Sequence, residues 1–425
     1  MKYPCAILCC VLLLVGAGRA PVGANAPAST ATRAGRLAVF DDVWATVGVR
    51  YYDPAFGGVD WQAWGASLRP VAADAPTQDE LYAVLRRLVA TLRDPHTRVY
   101  APGEYTDWQR PRYLSAGVSL RELAGALVVT RVEPDSTAAR AGVRAGDELR
   151  SVDGEGAAAL LARRVSELAR DPADAAARRA AVARLFDGPL AAPVNAVFAD
   201  ARGRTLEVQL RRAWAERAPA LAVRREGAYA VVSFNLFTEE IALALLRALR
   251  TDLRRARGLV IDLRENGGGD AEAMTDLASA FLPAGTSLGQ FTDRTGRLSA
   301  APQTRAAPLL AAERIEQFDA PVVLLTSART ASAAEIFVAA LRGGGRARTV
   351  GEQTCGCVLG IRRRHTLPDG GALDLSELDY HTARGTRLER AGLAPDDAIA
   401  PTRADLSTGR DPALTRALVV LNLNR

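Results

Sequence analysis

Apolar residues recur at helical spacing in two segments near the start of the chain. In the first segment, Phe40, Val43, Trp44 and Val47 follow the i, i+3, i+4, i+7 pattern of an amphipathic helix. The second segment begins at Thr77, which fits a capping box, and its stripe consists of Leu81, Val84, Leu85, Leu88 and Leu92. Pro95, three residues past this stripe, ends the helix. The pattern predicts an N-terminal helical domain over residues 27–112.

Shorter apolar runs in the second half of the chain predict strands that alternate with helices. Continuous apolar runs of four to six residues are typical of strands that are buried on both faces. We expect strands at residues 229–234, 258–263 and 321–325, and helices at residues 238–253 and 333–342. Residues 286–318 are polar, and we expect an irregular surface excursion there. Residues 214–425 are therefore predicted to form an α/β core.

Between these regions, residues 113–213 carry a distinct set of short motifs. Two short apolar runs are followed by P-D-S-T-A-A-R-A-G-V at residues 134–143, A-G-D-E-L at 145–149 and a V-D-G turn at 152–154. This segment resembles a PDZ domain, although a generic small mixed domain is the alternative. The resemblance implies that a strand edge captures the C-terminal carboxylate of a peptide by strand addition. The loop implied for this role is Ala116, Gly117, Val118, Ser119 and Leu120.

Composition restricts the classes of partner. The 425 residues suffice for two or three domains, and 48% hydrophobic with 24% charged residues is ordinary for a globular protein. The net charge is +6, but basic and acidic residues are interspersed, so we expect no nucleic-acid partner. Lys2 is the only lysine in the chain.

The N-terminus has the pattern of an export signal. Lys2 precedes a short apolar run at residues 5–16, and Ala24-Asn25-Ala26 offers a cleavage site. We predict a signal peptide over residues 1–26 and a periplasmic or secreted protein with no membrane span in its mature form. An uncleaved anchor is the alternative, but the run is shorter than the ~20 residues that a span needs.

Two cysteines remain after the signal peptide. Cys355 and Cys357 are one residue apart, which excludes a disulfide framework of the kind that holds small secreted domains together. A disulfide, a redox control of the site and simple packing are all open.

Two segments of the predicted core carry candidate chemistry. In D-L-R-E-N-G-G-G at residues 262–269, a buried strand leads into three glycines and a helix, so backbone amides can point into a cavity. In T-A-S-A-A-E-I-F at residues 330–337, Ser332 stands at the start of a helix. Serine is also a favoured helix cap, so Ser332 alone has two interpretations.

Together, these segments resemble the C-terminal processing, or tail-specific, proteases and the related tricorn core proteases. The resemblance implies a ClpP/crotonase-like spiral of ββα units with an N-terminal helical domain and an inserted PDZ domain. It also implies that Ser332 is the nucleophile. The oxyanion hole would be formed by the amides of Ala333 and of Gly267 or Gly268.

The catalytic base differs between branches of this family. One branch uses a lysine in G-E-x-T-x-G-K, but here residues 351–357 read G-E-Q-T-C-G-C, with Cys357 in the lysine position. Arginine stays protonated, so a Ser–Lys mechanism is excluded for this chain. The tricorn-like branch uses an N-terminal histidine and a distal glutamate, which His96 in D-P-H and Glu389 in L-E-R-A-G-L-A-P-D match.

These assignments have plain alternatives. His96 could be a turn residue after a helix, Glu389 could pair with Arg387 or Arg390 at the surface, and a thiolate could act as the base. His365 and His381 are expected to be structural. Three scattered histidines do not have the spacing of a zinc site, so we expect no metal and no cofactor.

The sequence therefore predicts an exported serine endopeptidase with a Ser-His-(Glu) mechanism. Its expected substrates are partly unfolded proteins whose apolar C-termini bind the PDZ domain. The alternative is a catalytically silent PDZ scaffold that binds peptides, and a weaker one is an apolar small-ligand binder. The substrate, the cleavage preference and the oligomeric state are left open.

Overall fold

The computed structural model describes residues 28–104, 112–168, 173, 175–188, 190, 192–216, 218–308 and 316–423. The predicted signal peptide, residues 1–26, lies outside the described residues. Within the described ranges, no helix combines the length and the apolar character needed to cross a membrane.

The N-terminal region consists of three helices, a one-turn 3-10 helix at Phe56–Gly58 and a short strand. They are α1 (Arg33–Arg50), α2 (Trp61–Ala73), α3 (Gln78–Ala90) and β1 (Arg98–Tyr100). Helices α1 and α3 confirm the two apolar stripes, and Thr77 caps α3 by accepting the N–H of Glu80 at 3.2 Å. Helix α2 was not predicted, because Gly65 and Pro70 both disfavour a helix interior. Gly65 lies against the Trp44 ring, where a Cβ atom would come within 2.3 Å of the indole nitrogen, so its small size lets α1 and α2 pack.

The middle region is a strand-rich domain with its own core. Its elements are β2 (Arg112–Ser115), β3 (Val118–Leu123), β4 (Ala126–Val132), α4 (Thr137–Ala141), β5 (Glu148–Val152), β6 (Glu155–Gly156), α5 (Ala157–Leu168), α6 (Ala175–Ala183), β7 (Val194–Ala199), β8 (Thr205–Leu210) and β9 (Ala213–Glu216). Its sheet has the order β3-β4-β5-β7-β8, with β6 paired to β5. Strands β2 and β9 pair where the chain enters and leaves the domain, as expected for an insertion.

The C-terminal region is built around a largely parallel sheet. Its elements are β10 (Leu221–Glu226), β11 (Tyr229–Phe234), α7 (Glu239–Arg250), β12 (Leu259–Asp262), α8 (Ala271–Ser279), β13 (Gln290–Asp293), β14 (Leu298–Ala300), β15 (Val322–Thr326), α9 (Ala333–Gly343), β16 (Ala347–Gly351), β17 (Gly360–Thr366), β18 (Ala372–His381), β19 (Asp397–Ala398), α10 (Arg403–Thr408) and α11 (Pro412–Leu423). The main sheet has the order β10-β11-β12-β15-β16-β19, and it is parallel from β11 onward.

Both faces of this sheet are covered, which explains the continuous apolar runs of its strands. Alternate residues of β11 enter two separate cores, Val232 on the face covered by α7, α8 and α9, and Val231 on the face covered by α11. Strands β11, β12 and β15 and helices α7 and α9 confirm the predicted alternation of strands and helices.

A second sheet joins distant parts of the chain. It has the order β1-β18-β13-β14, with β17 also paired to β18. The expectation of an irregular excursion over residues 286–318 was therefore wrong in part, because β13 and β14 form a hairpin that pairs with β18. Its strands are polar and partly exposed, so they do not show the apolar run of a buried strand.

The second sheet also fixes the N-terminal region onto the core. Strand β1 pairs antiparallel with β18, from Arg98 opposite Asp374 to Tyr100 opposite Ala372. Leu373 and Leu375 of β18, with Leu359 and Leu367 on either side of β17, share one hydrophobic core with α1, α2 and α3. The loop between α3 and β1, which carries His96, is thereby held against the C-terminal region.

Candidate active site

Ser332 occupies the N-cap position of α9 in an unusual backbone conformation. Its φ of 57° and ψ of −127° are rarely adopted by a residue with a side chain. Ser332 and Glu335 occupy the N-cap and N3 positions of a capping box, but no hydrogen bond within standard distance engages the Ser332 hydroxyl among the described residues, and the residue is partly exposed. Its N–H donates to the carbonyl oxygen of Cys357 at 2.8 Å. A strained strand-to-helix turn that presents a free hydroxyl is typical of a nucleophile and unlike an ordinary helix cap.

The glycine loop packs directly against this turn. A Cβ atom at Gly268, where φ is +97°, would lie 2.6 Å from Cβ of Ser332 and 3.0 Å from the backbone nitrogen of Ala333. The Ala331 N–H donates to the carbonyl oxygen of Asn266 at 3.1 Å, and the buried Asn266 amide donates to Phe234 O at 3.1 Å. The two sequence segments predicted to carry chemistry are therefore in contact.

The three amides predicted for the oxyanion hole differ in their hydrogen bonding. The Ala333 N–H has no partner among the described residues. In contrast, the Gly267 N–H donates to Asn235 O at 3.2 Å, and the Gly268 N–H donates to Asn266 Oδ1 at 2.9 Å. The Ala333 amide is thus free to bind an oxyanion. The amide of Gly267 or Gly268 would first have to give up its present hydrogen bond within the protein.

Glu335 organises the nucleophile turn, and sequence reasoning missed this role. Its side chain is fully buried and accepts four hydrogen bonds, from Ser332 N–H at 3.3 Å, Cys357 N–H at 2.9 Å, Gly356 N–H at 2.8 Å and Thr354 Oγ1–H at 2.5 Å. Burial raises the pKa of this carboxyl, and the hydrogen bonds act against that shift. The available signal was a glutamate three residues after a serine at a helix start.

Residues 354–358 form a loop over the nucleophile turn, which we call the cystine loop. A disulfide joins Cys355 and Cys357, so the position that one branch of the resembled family gives to lysine holds a half-cystine here. The Cys355 N–H donates to Thr330 O at 3.0 Å. The Val358 N–H, at the end of the loop, donates to Glu389 Oε2 at 2.9 Å.

Glu389 is buried beside the cystine loop and is not a surface residue. Its pKa is raised to about 7, chiefly because burial disfavours the charged carboxylate; the charge of Asp94 adds to this rise, whereas the Val358 N–H and Arg387 act against it. Arg387 pairs with Asp379 at 2.7 Å, and across the described ranges Glu389 makes no ion pair with Arg387 or Arg390. The surface salt bridge considered from the sequence is therefore not formed.

His96 lies in the loop between α3 and β1, where its side chain is mostly buried. Its Nδ1 has no hydrogen-bond partner and lies 3.8 Å from Asp94 Oδ1. Burial lowers the pKa of His96, the charge of Arg98 lowers it further, and Asp94 raises it. In the described structure no hydrogen bond joins His96 to Ser332 or to Glu389. The structure thus brings Ser332, Glu389 and the Asp94 loop to one region, but among the described residues His96 and Ser332 form no hydrogen bond.

Three families of known proteins match parts of this chain. Residues 228–399 match Peptidase family S41, residues 32–90 match the tricorn protease C1 domain, and residues 128–170 match the PDZ domain. Residues 228–399 thus form a domain of peptidase family S41. The chain is a serine-type peptidase, which confirms the predicted enzyme class and the family resemblance.

Relatives of this S41 peptidase come from both groups that the sequence resembles. The chain is 26% identical over 388 residues to the C-terminal processing peptidase, chloroplastic, of Tetradesmus obliquus, covering 85% of this chain and 77% of that protein. It is 27% identical over 406 residues to the putative tricorn protease homolog 2 of Streptomyces coelicolor, covering 89% of this chain and 31% of that protein.

A solved structure shares the fold of the S41 peptidase. Mature CPAF complexed with lactacystin superposes with a TM-score of 0.68 at 16% identity, covering 92% of this chain and 98% of that chain. The predicted α/β class, with its N-terminal helical region and PDZ domain, is confirmed.

The PDZ domain of the S41 peptidase touches the catalytic region. Strand β3, which begins at Val118 within the predicted carboxylate loop, is an edge strand of its sheet. Gly117 in that loop has a φ of +86°, and a Cβ atom there would lie 2.4 Å from Cβ of Ser136. Arg121 of β3 donates to Glu352 Oε2 at 2.5 Å, and Arg179 of α6 donates to Cys355 O at 3.4 Å. The PDZ domain is therefore linked by Arg121 to Glu352, beside the cystine loop, and by Arg179 to the cystine loop itself.

The two remaining histidines lie in the second sheet. His365 is in β17, with Nε2 at 3.5 Å from Glu377 Oε1, and His381 ends β18. In the part of the S41 peptidase that the structure describes, neither forms a hydrogen bond with Ser332. In the same ranges, no group of three or more His, Cys, Asp or Glu side chains is placed to hold a metal ion.

Proposed function

We propose that this S41 peptidase is an exported serine endopeptidase that uses Ser332, His96 and Glu389. The observation that carries the proposal is the strained turn of Ser332 beside Gly268, next to an Ala333 N–H that has no partner among the described residues. Lysine cannot replace the histidine, because Lys2 is the only lysine in the chain.

The proposed reaction is acyl transfer followed by hydrolysis. The His96 imidazole takes the hydroxyl proton as Oγ of Ser332 attacks the scissile carbonyl carbon. The Ala333 amide and the amide of Gly267 or Gly268 bind the tetrahedral oxyanion. The imidazolium then protonates the leaving amine, the C–N bond breaks, and water hydrolyses the acyl-enzyme by the reverse proton path. Because burial lowers the pKa of His96, the imidazole is neutral and able to act as a base at pH 7.

Glu389 completes the polar network between these groups. Its Oε2 accepts a hydrogen bond from the Val358 N–H. The carbonyl oxygen of the preceding residue, Cys357, accepts a hydrogen bond from the Ser332 N–H. With a pKa raised to about 7 by burial, it can carry or release a proton near neutral pH. Its proposed role is to polarise and orient the site through the cystine loop.

The resting site needs a movement before it can react. His96 must close onto Ser332, and one glycine amide must give up its internal partner. The PDZ domain offers a means of control, because a peptide added at the β3 edge would act on Arg121 and through it on Glu352 beside the cystine loop. This arrangement supports a gate that responds to bound C-terminal tails.

The proposed substrates are partly unfolded proteins recognised by apolar C-termini. Support comes from the open edge of β3 and from relatives named carboxyl-terminal-processing proteases. The proposed export rests on the N-terminal signal pattern and agrees with the Cys355–Cys357 disulfide, since disulfides persist in oxidising compartments.

A fluorophosphonate probe, which reacts only with activated serines, tests this proposal. We expect labelling of the wild-type chain, stimulated by an apolar C-terminal peptide, and its loss in both Ser332→Ala and His96→Ala. His381→Ala is the matched control and should be labelled normally. Full hydrolysis of an unfolded substrate by Ser332→Ala would refute the assignment of the nucleophile.

The second candidate is a silent scaffold that binds peptides through the PDZ domain. One observation favours it, namely the absence of a hydrogen bond between His96 and Ser332 in the described structure. Tail-peptide binding with no probe labelling at any peptide concentration would support the scaffold over the enzyme.

A further inference from the structure

We propose that Asp94 is the positioning residue for His96, accepting the Nδ1–H of the imidazole so that Nε2 faces the Ser332 hydroxyl. This inference rests on the proposed function, because it gives Asp94 a catalytic purpose only if His96 is the base. It assigns to Asp94, rather than to Glu389, the task of pairing with the imidazolium that forms during the reaction.

The Asp94 carboxylate is rigidly held within the His96 loop. Its side chain is only 2% exposed. Oδ1 accepts the backbone N–H of His96 at 2.8 Å, and Oδ2 accepts the hydroxyl of Thr97 at 2.5 Å. The Thr97 oxygen in turn accepts the N–H of Ser376 from β18 at 3.2 Å. Asp94 is therefore anchored to the second sheet and presents a fixed charge to the imidazole.

The imidazole has an unsatisfied group on the side that faces Asp94. Nδ1 of His96 is buried, makes no hydrogen bond and lies 3.8 Å from Asp94 Oδ1. A shift of about 1 Å would bring these atoms to hydrogen-bond distance. Glu389 is placed differently, since its Oε2 accepts the Val358 N–H and it forms no hydrogen bond with His96 in the described structure. Of the two carboxylates, only Asp94 is within 4 Å of Nδ1.

The charges around His96 act in opposite directions. Asp94 favours the imidazolium, whereas burial and Arg98 on the same segment disfavour it. From other elements, Tyr51 beyond the end of α1 and Glu389 beside the cystine loop both face Asp94. Asp94 is thus the anion that would stabilise the positive charge gained by His96 in the transition state.

A purely structural role for Asp94 makes a different prediction. A carboxylate that accepts the N–H two residues later builds a turn, and asparagine builds the same turn equally well. Asp94→Asn therefore keeps the turn and removes the charge. Arg98→Gln is the matched variant, because it removes the opposite charge from the same segment.

Histidine-selective nitrogen NMR of the full chain tests the inference without requiring activity. The chain has three histidines, so His365→Gln and His381→Gln assign the signals. We expect neutral wild-type His96 to be the Nδ1–H tautomer. Its pKa should fall by about one to two pH units in Asp94→Asn and rise in Arg98→Gln. The rate of fluorophosphonate labelling should fall at least tenfold in Asp94→Asn, with its acid limb moved to lower pH.

Two results would overturn the role of Asp94. One is an Nε2–H tautomer in the wild-type chain, which can be detected even if Asp94→Asn fails to fold. The other is an unchanged or higher His96 pKa in a folded Asp94→Asn. Failure of the proposed function is separate, because it would appear as absent labelling of the wild-type chain, whatever tautomer His96 adopts.

Discussion

Glu335→Gln tests whether a buried carboxylate holds the cystine loop over the nucleophile. In the wild-type chain, Oε1 accepts from Thr354 and Gly356, while Oε2 accepts from Cys357 and Ser332. Glutamine keeps one oxygen and replaces the other with an NH₂ group, which cannot accept from an N–H. The amide should place its nitrogen on the Oε2 side, because the Ser332 N–H keeps its second partner, the Cys357 carbonyl.

The expected loss follows from this hydrogen-bond count. The Cys357 N–H would be left buried and unpaired, facing another donor. A hydrogen bond to a charged group contributes roughly 1.5–3 kcal/mol, and an orphaned buried donor costs a similar amount. We therefore expect the loop and the start of α9 to lose about 3 kcal/mol of local stability. This corresponds to about a hundredfold faster amide exchange, at roughly 1.4 kcal/mol for each factor of ten.

Hydrogen exchange with mass spectrometry is the suitable assay. All five tryptophans precede residue 220, so their fluorescence does not report on α9. Peptides that cover residues 333–343 and 354–358 should exchange faster in Glu335→Gln, and fluorophosphonate labelling should slow. The control is Glu272→Gln in the first turn of α8, which removes a half-exposed ion pair with Arg305. That change should cost less than about 1 kcal/mol. Equal protection of α9 in wild type and Glu335→Gln would refute the reasoning.

Two further predictions concern the glycine loop and Glu389. Gly268→Ala should destabilise the core by at least about 2 kcal/mol and abolish fluorophosphonate labelling, because the added Cβ atom would lie 2.6 Å from Cβ of Ser332. Thermal unfolding would measure the loss of stability. Gly285→Ala is the control, because Gly285 has a φ of +82° and no atom lies within 4 Å of the added Cβ, so this change costs only backbone strain. Equal losses of stability in the two variants would exclude a steric clash at Gly268. Burial raises the pKa of Glu389 from 4.5 to about 7, so the wild-type chain should lose about 3 kcal/mol of stability as the pH rises from 4.5 to 7. Glu389→Gln should remove this loss and be the more stable chain at pH 8 in urea titrations, and parallel pH dependences would contradict the assigned pKa.

The local sequence determined the elements and the segments that bear chemistry. Strand β11 and helices α7 and α9 follow from apolar spacing, since burial imposes a period of 3.6 residues on helices and continuous runs on doubly covered strands. The loop at residues 262–269 and the turn at Ser332 were recognisable because their glycines and small residues are contiguous. The lack of a usable lysine is a matter of composition alone, and it excluded one mechanism without any coordinates.

Only the tertiary structure decided what these segments meet. The pairing of β1 with β18 and the β13–β14 hairpin depend on hydrogen bonds between strands far apart in the chain, and polar edge strands carry no periodic signal. Three of the four donors to Glu335 come from Thr354, Gly356 and Cys357, which only the folding of the chain brings to this carboxylate. The sequence does not distinguish a solvated carboxylate from a buried one. The role of a carboxylate depends on which hydrogen-bond donors the folded chain places around it.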